Sequence, residues 1–277
     1  MRSLILALVA ALSAPAAAQP TQAPAATALR AFVDDVTVLT EGQVARFYEP
    51  VCVISDGLPP DYNAVVEARV AELARNAGIA VNRRRACAPN LIVLVADDGA
   101  DVTGVLRRRR PELFDGLDSA EISRLVAASG PVRRWQRSES SWANGEPILD
   151  SRDEYLGRDV HLFHGRPASL LRTSTRQALR LSVVVFDVAA IDGLTLMQIA
   201  DHAAMLGLAP TQAAEVARGR SILALFEGGI GHAEPAATTW DLAYLRALYR
   251  IGAPLEGSAH RSLLARFAER ELATRRR

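Results

Sequence analysis

The sequence predicts an α+β fold in which helices pack on a mixed sheet. Four segments read as strands because they are apolar, β-branched or interrupted by turn residues, near residues 46–55, 90–96, 132–148 and 181–189. Between and after them, apolar residues recur at helical spacing, most strongly in Gly193–Leu208.

The first residues, Met1–Ala18, have the features of a signal peptide. Arg2 is followed by the short apolar run Leu4–Leu12 and by the small residues Ala16–Ala18. The apolar run is too short to span a membrane, and no later segment reads as a transmembrane helix. We therefore expect an exported protein, periplasmic or secreted.

Residues 19–28 are rich in Ala, Pro, Thr and Gln and are predicted to form a disordered lead-in. The rest, 29–277, is predicted to be one α+β domain. The chain has 32 basic and 31 acidic residues, and removal of Arg2 leaves 31 of each. A net charge of zero argues against nucleic acid as a partner, because such binding needs a basic excess.

A β-α-β unit is predicted near the start of the domain. The strand Arg46–Ser55 leads to a turn at Gly57–Pro60, and Asp61 is the expected N-cap of a helix over Tyr62–Asn76. Asn90–Ala96 is the next strand, continuously apolar and therefore expected at the centre of the sheet.

Cys52 and Cys87 are the only two cysteines. In an exported protein such a pair predicts a disulfide, which would connect the first strand to the approach to the second. A thiol active site is the less favoured alternative because the sequence has no C-x-x-C motif.

Short helices are expected over Asp101–Arg110 and Ser119–Ala128, the second capped by Ser119. The runs Arg83–Arg85 and Arg107–Arg110 have two interpretations. They are either solvated helix ends or contacts to an anionic envelope surface.

The hairpin signal Asn144-Gly145 interrupts the segment 132–148. Beyond it, His161 and His164 lie three residues apart in a polar stretch. They could bind a metal if the stretch were helical, but only Asp159 offers a third ligand nearby. No metal or other cofactor is predicted.

The strand Leu181–Ala189 runs directly into the helix Gly193–Leu208, for which Thr195 is a candidate N-cap. Asp201 lies four residues from both Met197 and Met205, so it should point at least partly inward. A buried carboxylate needs a partner. That partner is either an arginine or backbone N–H inside the fold, or a functional ligand.

This helix resembles the active helix of zincin metallopeptidases, whose signature is H-E-x-x-H-x-x-G-x-x-H. Gly207 occupies the glycine position and Asp201 the position of the glutamate. Ala200, Ala204 and Pro210 occupy the three ligand positions, and none of their side chains can bind zinc. The resemblance therefore implies a zincin-like unit, about 181–250, that lacks its metal ligands.

Two further resemblances extend this view. Ser221–Phe226 (SILALF) and Thr239–Tyr249 (TWDLAYLRALY) resemble the ending "SIM…LTxWD…LRxLY" of many secreted zincins. The segments Arg46–Cys52, Gly57–Pro60 and Gly193–Met205 resemble an uncharacterised family of secreted bacterial proteins. That second likeness implies export and no particular activity.

Three functional hypotheses remain open. The first is a non-catalytic pseudoenzyme that binds a protein or small-molecule ligand in the former cleft. The second is a hydrolase with an atypical site built from Asp201 and His202 with one or more of His161, His164 and His232. The third is an envelope-associated structural module. The sequence does not decide whether the protein is an enzyme.

Overall fold

The structure is a computed structural model, and it describes residues 22–82, 87–148, 150–153, 158–161, 173–227, 233–252, 255 and 257–274. The strands in chain order are β1 Val53–Asp56, β2 Leu91–Ala96, β3 Val132–Trp142, β4 Asp150–Asp153, β5 Arg158–His161 and β6 Thr175–Asp187. The helices are α1 Gln22–Val36, α2 Pro60–Asn76, α3 Gly99–Arg109, α4 Ser119–Ala127, α5 Val188–Ile191, α6 Leu196–Leu208, α7 Thr239–Arg250 and α8 Gly257–Thr274.

The main sheet has the order β1-β2-β6-β3. β1, β2 and β6 are parallel, whereas β3 runs antiparallel to β6 along its whole length. The predicted α+β class with a mixed sheet is therefore confirmed. β4 and β5 form a separate antiparallel pair.

The long central strand β6 divides the core into two layers. Val184 and Phe186 face the larger layer, which contains α1, α2, α6, α7 and α8. Leu181, Val183 and Val185 face a smaller layer with Trp135 of β3 and the segment before α4. Since side chains alternate along a strand, this run of apolar residues fills both faces of the sheet.

The β-α-β unit is confirmed, with corrections at its first strand and its cap. Regular pairing begins only at Val53, and Val51 contributes an isolated bridge to Val81. The predicted N-cap Asp61 is wrong: Pro59 holds that position, and Asp61 lies in the first turn. Two consecutive prolines start the helix earlier because Pro60 has a φ angle suited to the first helical position.

The predicted lead-in 19–28 needs a second correction, because α1 already begins at Gln22. Alanine is the strongest helix former, and four of the seven residues from Gln22 to Ala28 are alanine. Farther along α1, Leu29, Phe32 and Val36 are buried and fix the helix on the core. Tertiary packing therefore overrides a composition that suggests disorder.

Side chains cap the amino-terminal ends of α4 and α7, and the predicted cap of α4, Ser119, is wrong. Asp118, one residue before the predicted Ser119, caps α4 and forms a capping box with Glu121. Thr238 caps α7 in a capping box with Asp241. The carboxylate of Asp118 replaces the hydroxyl of Ser119 because it accepts from the backbone N–H three residues on.

The turn at Asn144-Gly145 is confirmed, and Gly145 has a φ of +97°. Its strand arms differ from a simple hairpin, since Ser141 makes only an isolated bridge to Pro147 while β3 pairs with β6. The long-range pairing with the central strand thus dominates the local turn.

The predicted disulfide is present, and Cα atoms of Cys52 and Cys87 lie 6.1 Å apart. It connects the entry to β1 with the loop before β2. In the part of the chain that the structure describes, no helix has the length and apolar character needed to cross a membrane.

Candidate functional site

The helix α6 is the centre of the candidate site. Thr195 caps it in a box with Gln198, and every residue from Gln198 to Leu208 is buried. It follows the parallel strand β6 after the short helix α5, and it packs against α2, which follows the parallel strand β1. A helix enclosed on all sides leaves its polar side chains dependent on partners from other elements.

Asp201 has an arginine partner inside the fold. Its Oδ1 accepts from Nε of Arg69 on α2 at 2.6 Å, and its Oδ2 accepts from Nη2 at 3.0 Å. The backbone N–H of Ala237 donates to Oδ2 at 2.6 Å. The hydrogen bond to Asp201 is the main reason why the pKa of Arg69 is raised. The sequence left open whether Asp201 meets an arginine or backbone N–H inside the fold, or a functional ligand. The structure shows the arginine and a backbone N–H.

The residues that the sequence analysis compared with the zincin ligand positions are buried, two on α6 and one after it. Ala200 and Ala204 are fully buried, and Pro210 is buried beyond the helix end. At Gly207 an added Cβ atom would lie 3.0 Å from Cδ1 of Leu91 on the sheet. The small residues of this helix therefore let it approach the sheet closely.

His202 is buried next to two aromatic rings, with centroid distances of 6.0 Å to Phe186 and 5.2 Å to Phe226. Its Nδ1 lies 2.8 Å from the carbonyl oxygen of Ile222, so Nδ1 carries the proton and donates it. Burial lowers the pKa of His202 to about 4, which keeps the ring neutral near pH 7. Its Nε2 is buried without a partner among the described residues.

The structure does not join the predicted site residues into one constellation. Asp201 points to α2, whereas His202 points to the segment around Ile222, as expected for successive residues on a helix. His161 belongs to β5, with no described side chain, and His164 and His232 lie outside the described residues. Over the described ranges, no three His, Cys, Asp or Glu side chains converge to hold a metal.

The segments Ser221–Phe226 and Thr239–Tyr249 meet at one buried carboxylate. Asp241 accepts from the hydroxyl of Ser221, from the backbone N–H of Ile222 at 3.0 Å and from that of Thr238 at 2.8 Å. Burial raises the pKa of Asp241 to about 6. Asp241 therefore both takes part in the cap of α7 and fixes the segment that contacts His202.

The sequence analysis did not identify two half-buried arginines, Arg134 and Arg261. On β3, Arg133 and Trp135 face the smaller core layer, so Arg134 and Gln136 face α6. Alternation along the segment VRRWQR could have revealed this arrangement. Gln136 Nε2 donates to the carbonyl oxygens of Leu206 at 3.1 Å and of Ala209 at 3.3 Å, at the carboxyl end of α6.

Arg134 is half-buried in this layer, and its Nη1 donates to Oε1 of Gln136 at 3.3 Å. Burial lowers the pKa of Arg134 to about 10, so it remains charged at neutral pH. On α8, Arg261 is also half-buried and donates from Nη2 to the carbonyl oxygen of Thr37 at 3.2 Å. The described residues include no carboxylate within ion-pair distance of either guanidinium.

Comparison of this chain with protein-family models, with curated proteins and with solved structures finds no match. The functional assignment therefore depends on the geometry of the chain itself.

Proposed function

We propose that this chain is an exported, non-catalytic protein that binds a ligand or partner, built around a zincin-like unit without metal ligands. The observation that carries the proposal is the set of side chains on α6 and their partners. The acid position of the zincin pattern, Asp201, is held by Arg69, and the ligand positions have no metal-binding side chains.

The environment of Asp201 argues against a role as a general base. A general base must reach a proton of the substrate or of an attacking water. Asp201 is fully buried and accepts three hydrogen bonds, two from Arg69 and one from Ala237.

His202 is the remaining feature that favours the enzyme alternative. Its Nε2 has a free lone pair as far as the described residues go, which is the atom that a base or metal ligand would use. However, the ring has a pKa of about 4 and lies between Phe186 and Phe226. A neutral ring against aromatic neighbours is better explained as a core residue fixed by Ile222.

The disulfide supports export, since such bonds persist mainly in oxidising compartments. The envelope alternative depends on the arginine runs, of which Arg83–Arg85 lie outside the described residues. Arg107, Arg108 and Arg109 form the last turn of α3 and are exposed. Cations at the carboxyl terminus of a helix stabilise it by attraction to the negative end of the helix dipole. This effect explains the position of the three arginines without an envelope contact.

The test uses the oxidised mature chain, purified without chelator. Zinc content and hydrolysis of a mixed peptide library are measured, and ligands retained from a periplasmic extract are identified by mass spectrometry. The reduced, denatured chain serves as the control. We expect retained ligand only on the folded chain. Tightly bound zinc at one per chain, with chelator-sensitive hydrolysis, would contradict the proposal.

A further inference from the structure

Asn144 precedes a glycine in the exposed turn that follows β3. The chain has five asparagines, and Asn144 is the only one followed by glycine. Asn144 is exposed, and Gly145 has a φ of +97°. The backbone nitrogen of the next residue can attack an asparagine side chain, and glycine obstructs this attack least because it has no Cβ atom. The turn therefore contains the dipeptide that is most prone to spontaneous deamidation.

The backbone N–H of Glu146 is placed to promote this attack. It donates to Oδ1 of Asn144 at 3.0 Å. When a nitrogen adds to the side-chain carbon Cγ, negative charge develops on Oδ1. A backbone donor aimed at an oxygen that gains charge lowers the barrier, as in the oxyanion holes of acyl-transfer enzymes. Glu146 therefore polarises the amide that must react.

The guanidinium of Arg176 lies against the same turn. A Cβ atom added to Gly145 would lie 3.1 Å from Cζ of Arg176. Two contacts hold the guanidinium there, since Nε donates to Oγ of Ser141 at 3.1 Å and Cζ lies 3.9 Å from the ring centroid of Tyr48. Over the described ranges, no carboxylate lies within ion-pair distance of Arg176. Its positive charge therefore favours any group at the turn that becomes negative.

One hydrogen bond of the turn opposes the reaction. The N–H of Gly145 donates to the carbonyl oxygen of Trp142 at 2.7 Å, so the nitrogen must leave this bond before it attacks. An ordinary hydrogen bond retards such a step by about two- to tenfold. Exposed turns open locally at low free energy. The bond to Trp142 thus delays the attack and does not prevent it.

We propose that Asn144 is a site of spontaneous deamidation in the folded protein, promoted by the N–H of Glu146 and by the charge of Arg176. In the first step the nitrogen of Gly145 bonds to Cγ of Asn144, and the bond from Cγ to Nδ2 breaks. The proton of the Gly145 N–H passes to Nδ2, which leaves as ammonia, and a cyclic imide remains. In the second step water opens the imide. Attack at Cγ gives aspartate, and attack at the α-carbonyl carbon gives isoaspartate.

Either product places a new carboxylate beside Arg176. In aspartate, a carboxylate oxygen keeps the hydrogen bond from the N–H of Glu146. In isoaspartate, the main chain passes through the former side chain, and the added atom disturbs the bond that closes the turn at Trp142. The chain gains one negative charge in both cases. This modification does not depend on the binding function proposed above.

The experiment incubates the folded, oxidised chain at mildly alkaline pH and follows every asparagine by peptide mass spectrometry. The variants are Asn144→Gln and Arg176→Gln, with the exposed Arg124→Gln on α4 as the control. We expect conversion at residue 144 in wild type and Arg124→Gln, while the other four asparagines remain amides. Isoelectric focusing should show the matching acidic species in both, and none in Asn144→Gln.

Arg176→Gln should convert about two- to fivefold more slowly than wild type, the effect of one solvent-screened charge. In urea the guanidinium has no fixed position, so wild type and Arg176→Gln should convert at the same rate. Salt tests the same point without a substitution. Raised ionic strength should slow the conversion of folded wild type but not of the chain in urea.

The proposal is overturned if folded wild type keeps the amide of Asn144, or if the other asparagines convert as fast. Equal rates in folded wild type and folded Arg176→Gln would also overturn it, because the guanidinium would then have no part in the reaction. If thermal melting shows that Arg176→Gln does not fold, the salt series decides. A rate in folded wild type that does not change with salt would then reject the proposal.

Discussion

The carboxylate of Asp201 and the guanidinium of Arg69 meet at two points, with distances of 2.6 and 3.0 Å, and join α6 to α2. Asp201 is fully buried, whereas the Arg69 side chain keeps 17% of its surface exposed. This pair fixes the two helices that follow the parallel strands β1 and β6.

Substitution Asp201→Asn should destabilise the fold by about 3 kcal/mol, at the low end for a broken buried pair. The loss is limited because Arg69 also pairs with Glu72 at 2.9 Å and remains partly hydrated. Urea unfolding of the variant measures it, with the exposed Asp34→Asn as a control. Equal stability of wild type and Asp201→Asn would show that the pair is not structural.

His202 should make stability depend on pH between about 4 and 6.5. Its folded pKa of about 4 lies below the ordinary value of 6.5, so the unfolded chain binds more protons in that window. Stability is therefore complete above pH 6.5 and decreases as the pH falls towards 4, by an amount on the order of 3 kcal/mol. His260 acts in the same direction, and Asp241 in the opposite one.

The contribution of His202 is isolated by comparing the pH dependence of unfolding in wild type and His202→Leu. The variant should show a flatter decrease below pH 6.5, because only the wild type has this buried imidazole to protonate. An identical slope in both proteins would mean that His202 does not titrate in this range.

Replacement of both Cys52 and Cys87 by serine should lower stability by about 3–4 kcal/mol in the chain-entropy treatment of a closed loop. The two residues are separated by 35 positions along the chain. Denaturant unfolding with and without reductant measures the effect on wild type. Free thiols in the oxidised, denatured wild-type chain would contradict the pairing.

Gly207→Ala should destabilise the fold by about 1–3 kcal/mol through overpacking. The new Cβ would meet Cδ1 of Leu91 at 3.0 Å, although alanine favours the helix by up to about 1 kcal/mol. Thermal melting measures the balance, with Gly252→Ala as the control because no atom lies within 4 Å of its added Cβ. A more stable Gly207→Ala protein would show that Leu91 moves aside freely.

Local patterns predicted the elements around the candidate site well. The run Leu181–Ala189 and the cap Thr195 predicted the junction between β6 and α6, and two cysteines were enough to predict their bond. Partners distant in sequence were not predictable in this way. Arg69 is 132 residues from Asp201, and local periodicity contains no information on which of many arginines it meets.

The errors have a similar physical origin. The composition before Leu29 suggested disorder because the buried contacts of α1 come from α8 and the core, which no local window includes. Arg134 was not singled out because the sequence analysis treated the segment 132–148 only as a strand with a turn and did not assign its residues to faces. Alternation separates the two faces of this strand, and its pairing with β6 then determines which face lies against α6.

Because β6 lies between β2 and β3, the sheet cannot be completed during synthesis before β6 has been made. β2 needs residues 182–187 on its second edge, and β3 has its main pairing with β6. Until β6 emerges, the growing chain presents an uncovered apolar edge at β2 and an unpaired β3. Such edges promote aggregation, and charged residues within strands reduce it. Arg133, Arg134 and Arg137 are charges of this kind on β3, and we expect them to reduce its association with other chains during this interval.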